Sequence, residues 1–182
     1  YSVNKPRGIL QSYYVNLQHE HRWSYAGENL NDQIKSHARL ILKNLWKFDL
    51  VLNRTFHEID TRQLRGGPSL RIDGNTNGEI FVQSNSSKDL FFGAGAEFVR
   101  YDDNISKSED YIFSAQWIIN NRLNFSWRTS YINETNHHQY VMQKLVNNNR
   151  EYIVGEIDRQ TIYSTLRAEL FVTPELSFQY YG

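Results

Sequence analysis

One irregular stretch of the chain is rich in arginine, glycine and proline. It contains Arg62, Arg65, Gly66, Gly67, Pro68 and Arg71. Guanidinium groups bind carboxylates and phosphates through paired hydrogen bonds, so the cluster is a candidate to bind an acidic solute in a lumen. The alternative is structural: a loop folded inward, with its arginines paired to Glu79, Glu97 or Asp89. We prefer the structural reading, because glycine and proline turns often serve to pin a loop.

Six histidines raise the question of a metal site. His19 and His21 are two residues apart, on one face of a predicted strand, while His137 and His138 are adjacent in a predicted connection. A zinc site needs three or four converging ligands, and the sequence shows no third ligand for either pair. The rings of His19 and His21 share a face with Trp23, which is instead typical of the belt of amphipathic side chains at a membrane interface. We therefore expect no metal and no cofactor.

A catalytic site would need a nucleophile or a pair of carboxylates. The available side chains are Ser114, Ser126, Ser130, His57, Glu97, Glu156 and Glu169. A serine hydrolase is recognised by geometry, and the G-x-S-x-G motif is absent. A glycosidase needs two carboxylates at a defined distance from each other, and the positions of these residues in the sequence do not give that distance. We predict that the chain is not an enzyme, with a barrel-borne hydrolase as the third hypothesis for function.

The elements that must position these groups alternate between polar and apolar residues. The apolar side of one segment carries Leu123, Phe125, Trp127, Thr129 and Tyr131. Side chains of a strand alternate with a period of two, so each such segment has one apolar and one polar face. Ordinary strands run about five or six residues, whereas several here reach a dozen. The pattern predicts an all-β, antiparallel transmembrane β-barrel, or the C-terminal part of a larger one, with about ten long strands.

Other readings of the same pattern are open. A soluble sandwich would absorb the 14% aromatic content in its core, although strand length favours the membrane barrel. Gln33–Trp46 also fits a helix with one apolar face. We expect residues 1–182 to form one barrel domain or barrel fragment, with an irregular inward loop at about 61–77. Asn133–His138 is predicted to be a polar connection, and Asn147–Asn149 to be a hairpin turn.

The amino-acid composition excludes some classes of partner and of metal site. Twenty basic and twenty acidic side chains cancel, so no global basic field attracts nucleic acid. With no cysteine, disulfides and thiolate metal sites are excluded. The chain shows no signal peptide and starts within the strand pattern, so we expect a mature product or, preferably, a fragment. Membrane lipid is the expected partner, with other envelope proteins or a polar solute as further candidates.

Several short motifs resemble one protein family. They are Asp60-Thr61-Arg62, Leu64-Arg65-Gly66-Gly67-Pro68, Arg150-Glu151-Tyr152, Glu156-Ile157-Asp158, Thr173-Pro174-Glu175-Leu176-Ser177, Gln179-Tyr180-Tyr181 and the opening Asn4-Lys5-Pro6-Arg7-Gly8. Together they resemble the C-terminal outer-membrane β-barrel of a Gram-negative family of unknown function. Members of that family commonly carry an N-terminal carbohydrate-binding-module-like domain of the family-nine type.

The resemblance implies a location in the bacterial cell outer membrane and a larger parent protein. The sugar-binding-like domain is not in this chain, so sugar binding is not carried over, and the resemblance supplies no catalytic residue. The leading hypothesis is a channel or uptake component for a polar or acidic solute. The alternative is a structural barrel that anchors a surface-binding domain or an envelope complex.

Overall fold

The computed structural model describes residues 1–3, 5–173 and 175–182, and these residues form an all-β fold. Asn4 of the opening motif and Pro174 of the motif at residues 173–177 lie outside the described residues. The strands are β1 (Ser2–Val3), β2 (Leu10–Trp23), β3 (Asn29–Leu42), β4 (Lys47–Asp60), β5 (Leu70–Gln83), β6 (Leu90–Tyr101), β7 (Lys107–Asn120), β8 (Leu123–Val146), β9 (Asn149–Thr173) and β10 (Leu176–Tyr181).

The strands form a single antiparallel sheet in strict chain order, from β1 to β10. Every neighbouring pair is antiparallel, as the hairpin-like connections require. The sheet is open, because no pairing within the described ranges joins β1 to β10. The antiparallel all-β architecture and the number of strands are therefore as the sequence predicts.

Three sequence predictions need correction. The helical reading of Gln33–Trp46 is wrong, because most of that segment belongs to strand β3. The irregular stretch is shorter than 61–77, since β5 already begins at Leu70. Asn133–His138 lies within β8 rather than in a connection.

The described part of the chain contains no helix with the length and apolar character needed to span a membrane.

Registered pairs assign the side chains to two faces, because directly opposed residues project to the same side of a sheet. One row joins Trp117, Phe125, Ala168 and Tyr180 on successive strands. The adjacent row on the other side joins Gln116, Ser126 and Arg167. We call these sides the apolar face and the polar face. Trp117, Phe125, Leu166 and Leu170, the most uniformly apolar positions in the sequence, all lie on the apolar face.

The apolar face has no covering layer among the described residues. Leu17 is 74% exposed, Ile162 73% and Trp117 52%. The only apolar side chain that is buried in the described ranges is Leu64, which lies in a loop rather than in the sheet. A half-buried sheet in a soluble protein packs one face against a second layer. This sheet presents a large apolar surface instead.

The two ends of the sheet differ in their connections. The turn end carries the connections after β3, β5 and β7, which have four, six and two residues, whereas the longest connection, the nine residues after β4, lies at the loop end. The loop end carries the connections after β2, β4 and β6 and the β8–β9 hairpin, which extends well past its neighbours. That hairpin turns at Asn147 and Asn148, both at positive φ, as the asparagine-rich signal predicts.

Candidate functional site

Polar side chains on the polar face are linked across neighbouring strands. Glu20 accepts from Lys35 at 2.8 Å, and Asp49 is bound by both His37 at 3.0 Å and Arg39 at 2.7 Å. Farther along, Asn53 donates to Asn77 at 3.1 Å, and Asn77 donates to Glu97 at 2.7 Å. These contacts link each of the strands β2 to β6 to a neighbour through side chains on the polar face.

A concavity on the same face is lined by two arginines. Its volume is about 390 Å³, and Arg128 and Arg167 lie on its wall with polar side chains such as Ser114 and Gln116. The lining extends from Gln83 on β5 to Arg167 on β9. The Arg167 guanidinium is 4.0 Å from Glu169 and stacks on Tyr181, whereas no ion pair in the described ranges involves Arg128.

Residues 61–69 connect β4 to β5 at the loop end, where they pack on the extended β8–β9 hairpin. The Gln63 side chain donates to the carbonyl of His138 at 2.6 Å, and the Arg65 guanidinium lies over the ring of Tyr140 at 5.3 Å. A side chain at Gly67 would collide with Tyr152, because a Cβ there lies 2.5 Å from the ring. Close packing against the Tyr152 ring therefore explains why residue 67 is a glycine.

The predicted site residues therefore fall in two places. Arg62, Arg65, Gly66, Gly67 and Pro68 lie in the connection, while Arg71 lies on β5 opposite Ile59. All three arginines are exposed. The sequence offered carboxylates on β5, β6 and the preceding turn as their partners, but no ion pair of that kind occurs in the described ranges. The loop is held instead by amide, aromatic and apolar contacts, which sequence spacing does not reveal.

The connection between β6 and β7, residues 102–106, is anchored by two aspartates at the loop end. Arg54 donates to the two carboxylate oxygens of Asp102 at 2.8 and 2.6 Å, and this hydrogen bonding lowers the pKa of Asp102. Burial acts to raise the pKa of Asp103, but hydrogen bonds from Ser106 and from the backbone N–H of Ile105 outweigh it and leave that pKa lowered. Ser106 also accepts from the N–H of His137 at 3.2 Å, which ties this connection to β8.

We expect acid to loosen the connection at 102–106. A carboxyl whose pKa is lowered by folding stabilises the fold above its unfolded pKa, and that contribution is lost as the pH falls through the folded value. Hydrogen exchange at Ile105 and Ser106, corrected for the intrinsic effect of pH, should therefore increase below about pH 4. The Asp103→Asn variant keeps the shape without the titration, so an identical acid response in that variant would contradict the assignment.

The structure brings a third polar group to one histidine pair. The Asp32 carboxylate lies 2.9 Å from Nε2 of His19 and 3.4 Å from Nδ1 of His21. The expectation that no third group converges on this pair is therefore wrong. Strand β3 begins at Asn29 and pairs Asp32 directly with His21, a register that the sequence alone does not give.

The side chains considered for catalysis are spread over the sheet. Ser114 and Ser126 line the arginine concavity, in which no histidine takes part. His57 contacts the backbone carbonyl of Asn29 at 3.3 Å. Glu97 accepts from Asn77, Glu169 accepts from Asn124 at 3.3 Å, and Glu156 lies 2.8 Å from His137. His57 and the three glutamates thus each have a structural partner.

Comparison with known proteins gives one match. The model of a family described as a domain of unknown function, DUF5916, matches residues 1–181, which is almost the whole chain. No curated protein and no solved structure matches the chain.

Proposed function

The chain belongs to the DUF5916 family of domains of unknown function, and we propose that its sheet forms the wall of a bacterial outer-membrane β-barrel. The observation that carries this proposal is the exposed apolar face of a sheet without a second layer. In water such a face would promote aggregation, whereas in a membrane it is covered by lipid acyl chains. The polar face then lines the interior, as in barrels whose strands alternate apolar-out and polar-in.

The placement of aromatic rings on the apolar face supports the same proposal. Three consecutive strands carry two such rings six residues apart. The pairs are Phe92 and Phe98 on β6, Tyr111 and Trp117 on β7, and Phe125 and Tyr131 on β8. Six residues of strand cover about 20 Å, or roughly 15 Å along the membrane normal at the usual barrel tilt, so the two sets of rings would form aromatic girdles near the borders of an apolar band about 25 Å tall, with Phe113 and Trp127 between them.

Beyond the second set of rings, the apolar face becomes charged. Arg54 pairs with Asp102 there, and Arg100 pairs with Glu109. We call this charged border the polar rim; it lies at the loop end. Outer-membrane barrels have short periplasmic turns and longer extracellular loops, so we infer that the turn end faces the periplasm and the polar rim faces outward.

An open sheet does not by itself satisfy the requirements of a bilayer. Lipid offers no partner to the backbone groups of an edge strand, so a membrane sheet must close. We infer that the ten strands are one part of the barrel wall and that further strands join its two edges.

We infer further that the barrel admits a polar or acidic solute. The support for this is the arginine concavity on the polar face, with Arg128 exposed and adjacent to Arg167. Arg128 is exposed and takes part in no ion pair of the described ranges, so its guanidinium is accessible to an anion. The loop containing Arg62 and Arg65 would then border the outer opening.

Replacing Arg128 with glutamine should reduce the anion preference of the intact protein in planar bilayers. A unit charge about 4 Å from an ion contributes about 1 kcal/mol in water, so the anion permeability should fall roughly fivefold and the anion-to-cation permeability ratio by at least that factor. The reversal potential under a salt gradient measures this ratio. Arg100→Gln is the matched control, because Arg100 lies on the opposite face in an ion pair with Glu109.

Channel function would be refuted by an intact protein that inserts but does not conduct. The second candidate, a scaffold that anchors a surface domain or an envelope complex, would then gain support. Its specific observation is the tip of the β8–β9 hairpin, where Val141 is 57% exposed and Leu145 is 65% exposed. Apolar residues beyond the membrane band are suited to contact another protein.

A further inference from the structure

His19, His21 and Asp32 form a compact set of ligand atoms at the loop end of β2 and β3. One nitrogen from each histidine and one carboxylate oxygen all lie within 4.8 Å of one another. Both histidines approach the same oxygen of Asp32, at 2.9 and 3.4 Å. In a tetrahedral zinc site with bonds of about 2.0–2.1 Å, neighbouring ligand atoms are separated by roughly 3.3 Å. The observed separations are close to that value.

The backbone explains why these three side chains meet. Residues two apart on a strand project to the same side, which places both imidazoles on one face. Asp32 is the registered partner of His21 on the neighbouring strand, and Ile34 is the partner of His19. Asp32 therefore lies directly opposite His21 and diagonal to His19, within reach of both rings. Sheet pairing fixes the arrangement without any contribution from a flexible loop.

Ring stacking further orients the ligands. The His21 ring lies parallel to the indole of Trp23, with centroids 5.2 Å apart and an angle of 17° between the planes. The side chains of His19, His21 and Asp32 are 53%, 31% and 24% exposed, so a cation can reach them from solvent. His19 lies two strands from Arg54, in the row of the sheet that begins the polar rim.

We propose that His19, His21 and Asp32 bind a divalent transition-metal cation such as Zn²⁺ through three protein ligands, leaving one position open. Imidazole nitrogen with one carboxylate is a donor set suited to zinc, copper and nickel rather than to calcium or magnesium. The open position is filled by water or by an external anionic ligand, as in zinc sites that exchange a ligand. The proposal does not depend on whether the barrel conducts.

The test is titration of the intact, detergent-folded protein with Zn²⁺ alone, using a preparation without a histidine tag. We expect one Zn²⁺ per chain with micromolar or tighter affinity, measured by calorimetry. His19→Gln and Asp32→Asn should each weaken binding by more than about tenfold, because even the loss of outer groups around a metal costs 10–100-fold. Cu²⁺ should also quench tryptophan fluorescence, and Trp23→Phe should remove most of that quenching while leaving the affinity intact.

His37→Gln is the matched control, since His37 lies on the polar face beside Asp49 and belongs to no such group. This variant should bind Zn²⁺ as the parent protein does. The proposal is overturned if the parent does not bind Zn²⁺, or if the His19 and Asp32 variants bind it with unchanged affinity. Should those variants misfold, the Trp23→Phe experiment decides, because unchanged Cu²⁺ quenching in that variant would place the cation elsewhere.

Discussion

Replacing Leu166 with arginine is expected to destabilise the protein folded in a bilayer by about 2–4 kcal/mol, the cost of a charge near the midplane of a barrel's outer face. Leu166 is 44% exposed on the apolar face and pairs with Trp127 on β8. It lies between the two aromatic girdles, far from the polar rim. Folding of the intact protein into lipid vesicles, followed during urea titration, measures this loss.

The neighbouring residue supplies a matched control. Thr165 is exposed on the same strand but projects to the polar face, where it lines the arginine concavity. Thr165→Arg should therefore have little effect on folding, since the new charge stays in contact with water. Equal losses at the two positions would mean that both faces have the same surroundings, and the proposed lipid-facing role of Leu166 would be refuted.

The strands were predictable because their period of two persists wherever one face is apolar. The prediction fails at Asn133–His138, where both faces of β8 are polar. That stretch continues the strand by pairing with β9 beyond the polar rim, with a register irregularity between Asn136 and Gln139. In water a strand needs no alternation to persist, only backbone hydrogen bonds to a partner, so the signal disappears while the structure continues.

The candidate sites were less predictable, because each depends on register. Arg65 contacts Tyr140, and His21 faces Asp32, in pairs separated by 75 and 11 positions of sequence. A one-residue shift in pairing would send either partner to the opposite face. Composition at the 61–69 loop indicated a special structure, but it did not reveal that an aromatic ring rather than a carboxylate receives the arginine.

In the run Gly93–Ala94–Gly95–Ala96, the two glycines lie on the polar face, where packing leaves no room for a side chain. The ring of Phe81, on the neighbouring strand, lies across both glycines. A Cβ at Gly93 would lie 2.7 Å from this ring, and a Cβ at Gly95 would lie 2.6 Å from the ring and 2.8 Å from the carbonyl oxygen of Ile80. The glycines leave room for a close approach of backbone and ring, which is a recognised use of glycine within a strand.

Gly95→Val should therefore destabilise the protein by about 1–3 kcal/mol, the usual cost of inserting volume into a packed site. Ala94→Val is the control, because Ala94 is exposed on the apolar face and its longer side chain meets no packed ring. Urea titration in vesicles compares the two. Adding Phe81→Ala to Gly95→Val should restore only part of the loss, since the Ile80 carbonyl cannot move without breaking the β5–β6 pairing. Full recovery would show that the ring alone excludes a side chain here, and no loss in Gly95→Val would contradict the close packing of Phe81.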